Sequence, residues 1–217
     1  MTAKPDVTLV IVQPRPRKSM PRQVDHDARR QEVSLIAAKL IAQVGVERVT
    51  VRELARAAGY STAIVSHYFA DKRQLLLFTY QAAAQSAQER VDAVLGRSPD
   101  DLEGCLTALL PLDEERRREW QVWFAFWGMA IGDAEFAAEQ RRRMAGSRRM
   151  LVRVLRAMSA SGKLPPNGDF DPDLAARQFL TLINGLAVQV GFDPDDWPAE
   201  RQMLMLKRTI AQTLSTP

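Results

Sequence analysis

Apolar and polar residues follow one another along most of this chain with helical spacing. After Asp25, apolar side chains fall at Val33, Ile36, Ala37, Leu40, Ile41 and Val44, one stripe of an amphipathic helix that Gly45 closes. Thr50 and Glu53 stand at capping-box spacing and open a short second helix that stops at Gly59. Ser61 caps a third short helix reaching about Phe69. Asp71 caps a fourth, with Gln74 completing another capping box; Leu75-Leu76-Leu77-Phe78 begins its buried face and Gly96 ends it. Further starts are read at Ser98-Pro99, Asp113, Asp133, Asp171-Pro172 and Pro198, the last four running to about Gly132, Ala160, Gly191 and Leu214. Only residues 8–12 offer a strand-like pattern, and the loop 162–168, with Pro165 and Pro166, is the clearest break. The expected fold is all-α.

The stretch from Val51 to Phe69 has helix-turn-helix spacing. With Val51 as first position, Ala55 is fifth, Gly59 ninth and Val65 fifteenth. A small Ala55 lets the second and third helices cross closely. Gly59 supplies a left-handed turn that other residues adopt only with strain. Leu54, Ala58, Val65 and Phe69 form the core between them. In such a motif the third helix enters the major groove of DNA. With Val65 and Phe69 turned inward, Thr62, Ala63, Ser66 and His67 face outward as candidates for base-edge contact, while Ile64 either touches a thymine methyl or packs. Thr50, Arg52, Tyr68 and Lys72 stand at helix ends where phosphates would pass, and Ser61, at the start of the third helix, is counted with them. By spacing alone, an ordinary pair of core helices also fits.

Composition narrows the classes. The single Cys105 excludes an intrachain disulfide and a cysteine-based zinc cluster, and with only His26 and His67 a histidine-rich metal site is not expected. No cofactor is called for. The apolar run Leu9-Val10-Ile11-Val12 is too short to span a membrane, and its arginines follow it where a signal peptide would have them precede, so a cytoplasmic protein without a membrane partner is expected. The net charge of +4 sits entirely in residues 1–24, where Lys4, Arg15, Arg17, Lys18 and Arg22 face only Asp6. That basic arm suits a polyanion or is simply a solvated tail, and a start at Met20 would remove most of it.

The segment Gly59-Tyr60-Ser61-Thr62-Ala63-Ile64-Val65-Ser66-His67-Tyr68-Phe69, continued by Asp71-Lys72 and Leu75-Leu76, closely resembles the TetR family signature, and Arg29-Arg30 ahead of the Gly45-terminated helix also fits. The likeness covers about residues 28–78; Tyr60 and Ala63 depart from the usual valine and glycine. It implies a helix-turn-helix DNA-binding domain over 25–70 and a helical ligand-binding and dimerisation domain over 71–217. The later part resembles the BetI-like branch more loosely, through Ile64–Phe69, Trp123-Phe124-Ala125-Phe126-Trp127 and Ser147-Arg148-Arg149-Met150-Leu151. That branch represses choline-to-betaine genes and responds to choline.

Trp120, Trp123 and Trp127 share one helix face, bordered by Phe124 and Ile131. Such a stripe is either plain core or the wall of an apolar pocket, and its ring faces would attract a quaternary ammonium group. Trp120, Trp123, Phe124 and Trp127 are therefore the candidate ligand-binding residues. Two segments look suited to dimerisation, Met144 to Met158 and Phe179 to Val190, and in the family the corresponding helices pair across a two-fold axis into a four-helix bundle. Arg116–Arg118 and Arg141–Arg143 read as solvated faces. The expectation is a homodimeric repressor on a near-palindromic, double-stranded operator, released by a small-molecule effector. An activator with the same features, or a helical interaction module without specific DNA binding, are the alternatives. An enzyme is not expected, because the chain has no phosphate loop, nucleophile elbow or paired-histidine motif.

Overall fold

The computed structural model describes residues 23–164 and 170–215. The basic arm up to Arg22 and the strand-like residues 8–12 lie outside the described residues, as does most of the proline loop. Among the described residues the structure is helical: α1 (Gln23–Val44), α2 (Val51–Ala58), α3 (Thr62–Tyr68), α4 (Lys72–Leu95), α5 (Leu102–Leu109), α6 (Glu114–Gly132), α7 (Ala134–Ala160), α8 (Pro172–Phe192) and α9 (Ala199–Ser215), with one 3-10 turn, Val46–Arg48, between α1 and α2.

Local capping sets most of these boundaries. Thr50 and Glu53 form the reciprocal box, each side chain taking the other's backbone N–H. Ser61, Asp113, Asp133 and Asp171 each accept from backbone N–H groups of the first turn that follows, and Pro172 sits at the start of α8. Each such cap stabilises its helix by about 1 kcal/mol. Asp71 caps α4 by accepting from the Gln74 amide, but Gln74 Oε1 returns to the amide of Ala70, one residue before the cap.

The expected start at Ser98-Pro99 is corrected. Those residues lie in turns, and α5 begins at Leu102, capped by Asp101, which accepts from the Gly104 amide at 2.8 Å. A Cβ on Gly104 would collide with the Asp101 carboxylate and lie 2.8 Å from Val94 Cγ1, so this glycine lets α5 close onto the end of α4.

Two buried clusters organise the molecule. The first joins α1 (Val33, Ala37, Ile41), the α2–α3 unit (Leu54, Ala55, Val65, Phe69), the first half of α4 (Leu75, Leu76, Tyr80), Val122 and Phe126 of α6, and Phe136 of α7. The second gathers the end of α4 with α5, α7, α8, Trp120 and Leu206 of α9. A boundary at residue 70 thus runs through the first cluster, because α4 and α6 belong to both. Val44, expected on the α1 stripe, is exposed, and Ala58 is only half-buried.

The segments expected to pair two protomers are largely consumed inside one. Met150, Leu151, Val154, Leu155 and Met158 of α7, and Phe179, Ile183, Leu186 and Ala187 of α8, are buried in the second cluster, and Val190 is buried as well. A helix that is apolar around most of its circumference does not reveal which side meets its own chain. Exposed apolar residues remain at Leu174 of α8 and at Leu204 and Met205 of α9.

Candidate nucleic-acid interface and ligand cavity

α2 and α3 pack through Leu54, Ala55, Val65 and Phe69, none more than 2% exposed. Gly59 makes the turn between them at φ +68°, ψ 22°, and the Tyr60 amide then donates to the Ala55 carbonyl at 2.9 Å. The Tyr60 hydroxyl donates to Glu32 Oε2 at 2.6 Å, tying the start of α3 to α1; this bond raises the Tyr60 pKa above its ordinary value. Arg30 of α1 lies over the rings of Phe78 and Phe69, at 4.6 and 5.6 Å from their centroids. Arg30 belongs to the Arg29-Arg30 pair that fits the family signature, whereas no local pattern distinguished Glu32 as an anchor of the unit.

With the inner face fixed in this way, Thr62, Ala63, Ser66 and His67 are exposed together, and Ile64 is 40% exposed beside them. Thr50, Arg52 and Ser61 are exposed at the helix starts; Tyr68 and Lys72 are half-buried at the end of α3 and the start of α4. The hydroxyl of Thr50 is engaged by Glu53, so an anion at the start of α2 would meet other groups of that turn. The His67 and Tyr68 rings meet edge-on at 5.6 Å.

Arg73, which drew no attention in the sequence, braces this head against the rest. It donates to Asp133 and Glu135 at the start of α7, with Nη2 at 2.9 and 2.7 Å, and lies 4.4 Å from the centre of the Phe136 ring. Its hydrogen bonds hold Asp133 down to about 2.

Behind the head, α4, α6, α7 and α8 line a half-open cavity of about 270 Å³. Trp120, Trp123 and Trp127 line it together with Tyr80 of α4, Arg143 of α7 and Ile183 of α8, among others. The Trp120 ring meets those of Trp123 and Trp127 edge-on, at 4.5 and 5.9 Å. The Trp120 indole donates to the Leu109 carbonyl at 2.9 Å, whereas the Trp123 indole N–H is buried without a partner. Tyr80 donates to Gln140, stacks on Phe126 at 3.7 Å, and is pushed up to about 12 by burial.

Phe124 does not join the three tryptophans in lining this cavity. Its position on the helix turns it to the flank, where it borders a separate groove between α1, α6 and α8 and packs against Gly191. The expectation for Arg141–Arg143 also needs correction, since helical rotation brings Arg143 to the cavity wall, over the Tyr80 ring at 5.1 Å.

Comparison with known proteins agrees with this architecture. Residues 36–77 match the bacterial regulatory proteins of the tetR family, and residues 99–215 match the BetI-type transcriptional repressor C-terminal family. The HTH-type transcriptional regulator PksA of Bacillus subtilis is 30% identical over 197 residues, covering 89% of this chain and 91% of the relative. The HTH-type transcriptional regulator BetI of Escherichia coli K12 is 27% identical over 213 residues, covering 91% of this chain and all of its own length. A transcriptional regulator from Rhodococcus sp. Rha1 superposes with a TM-score of 0.74 at 26% identity, over 85% of this chain and 95% of its own. One from Saccharomonospora viridis, solved in complex with choline, shares the fold with a TM-score of 0.75 at 23% identity, over 85% and 96%. The chain belongs to the TetR family of helix-turn-helix transcriptional regulators, with a C-terminal domain of the BetI type.

Proposed function

We propose that this regulator is a cytoplasmic homodimeric repressor that reads a near-palindromic operator and is released when a small molecule enters the tryptophan-lined cavity. The functional division follows residues 25–70 for reading DNA and 71–217 for sensing and pairing. Thr62, Ala63, Ser66 and His67 meet base edges, while Thr50, Arg52, Ser61, Tyr68 and Lys72 lie along the phosphates. Two copies of α3 would occupy successive major grooves about 34–36 Å apart.

The observation that carries the reading is the dual placement of Tyr80, which lines the cavity and also stacks on Phe126 in the cluster beneath the head. Trp127, next to Phe126 on α6, lines the same cavity. An occupant that moves this wall biases the packing of α4 and α6 against α1, and so the spacing of the two heads. The aromatic wall, the BetI-type match and the choline-bound relative support an effector with a small apolar or quaternary-ammonium body and a link to choline and betaine metabolism.

The contact assignment is tested by measuring Arg52→Ala, Ser66→Ala and His67→Ala against a panel of duplexes. Arg52→Ala should weaken all duplexes alike and lower the salt slope by about 1, while the other two shift base preference by about 1–3 kcal/mol at single positions. Uniform weakening by all three would contradict the assignment.

A further inference from the structure

We infer that the cavity takes a small carboxylate, borne on an apolar or quaternary-ammonium body, in preference to a bare cation or a neutral alcohol of the same shape. This rests on the reading of the cavity as the effector site and adds the chemical class of its occupant.

The first observation is charge. Among the described residues lining the cavity, Arg143 is the one charged side chain. Its Nε donates to Glu139 at 2.9 Å, but Glu139 is shared with Arg142 and does not itself line the cavity, so the cluster keeps a net positive charge. Tyr80, raised by burial, stays neutral and offers no compensating anion. A cation entering this space gives up hydration to face a guanidinium with no lining carboxylate. A carboxylate instead meets a planar donor suited to it, through charge-assisted hydrogen bonds.

The second observation is an orphaned donor. The indole N–H is a donor only, and that of Trp123 is buried at the cavity with no acceptor, unlike its neighbour Trp120. A ligand oxygen would satisfy it. A hydroxyl could fill that role yet would leave the net positive charge of the Arg142–Glu139–Arg143 cluster unbalanced, whereas a carboxylate brings both an acceptor and the balancing charge. The remaining wall of indole faces is left for the body of the ligand. The volume of about 270 Å³ corresponds to the liquid share of about nine waters, so the acid is small.

The test titrates two pairs of compounds, each sharing a body and differing in the head group, into the full-length protein by calorimetry and tryptophan fluorescence. The pairs are glycine betaine with choline, and 3-phenylpropanoate with 3-phenylpropanol; the pair that binds identifies the body. The acid is expected to bind about tenfold or more tightly than its alcohol. Arg143→Gln should abolish the difference, and Arg143→Lys, which keeps the charge, should retain part of it. Alcohols that bind as tightly as the acids overturn the inference, as do two acids that fail to bind, or a preference undiminished in Arg143→Gln. Ala84→Trp, which fills the cavity, separates the two claims. Acids that bind this variant unchanged remove the cavity as the site. Binding lost in Ala84→Trp, with acids and alcohols equal in the natural protein, removes only the carboxylate preference.

Discussion

Replacing Arg90 with methionine tests whether the joint between α4 and α6 depends on an ion pair or only on packing. The Arg90 guanidinium donates to both Glu119 oxygens, at 2.9 and 2.5 Å, and its Nε donates to the Ala108 carbonyl at 3.2 Å. The side chains are 28% and 11% exposed, so Arg90→Met leaves a nearly buried carboxylate without its partner. Breaking a fully buried pair costs about 3–5 kcal/mol, and because water reaches Arg90 we expect about 2–3 kcal/mol here. The double variant Arg90→Met/Glu119→Leu should recover most of that loss, because the cost of desolvating two charges disappears along with their attraction. Urea unfolding at one fixed protein concentration compares the natural protein, Arg90→Met, Glu119→Leu and the double variant, because the stability of any self-associating protein varies with concentration. If the double variant is as unstable as the two single losses combined, the reasoning is refuted.

Two further predictions concern the head. Asp133, held down to about 2 by Arg73, contributes stability that is complete above the ordinary carboxylate value of about 3.9 and fades as pH falls toward the depressed one. The stability gap between the natural protein and Asp133→Asn, which keeps a capping side chain, should be constant near neutral pH and close in acid; a gap that persists through that window contradicts the ion-pair account. Gly59 sits at φ +68° with nothing within 4 Å of an added Cβ, so Gly59→Ala should cost about 1–2 kcal/mol through the backbone alone. Unchanged thermal unfolding would show that the turn relaxes without glycine.

The features legible in the sequence were those decided locally. The caps at Thr50, Ser61, Asp113, Asp133 and Asp171 are carried by a few consecutive residues, and the Ala55–Gly59–Val65 spacing announces the reading head. Ser98-Pro99 misled because it has the residues of a helix start, while Asp101 and the close approach over Gly104 place that start at Leu102. Arg73 with Asp133 and Arg90 with Glu119 join positions 60 and 29 residues apart, a distance at which neither charge predicts the other. Arg143 looked like its neighbours Arg141 and Arg142 because a run of identical residues hides the rotation of the helix. What distinguishes it is the packing of α7 against α4 and the cavity between them.

The central claim is that the exposed face of α3 recognises a DNA sequence, and it is tested most directly by selecting binding sites from random duplexes with the purified protein at near-physiological salt. The account predicts enrichment of one near-palindrome whose half-sites lie about one helical turn, or a multiple of it, apart. A folded dimer that binds DNA without enriching any sequence would contradict it.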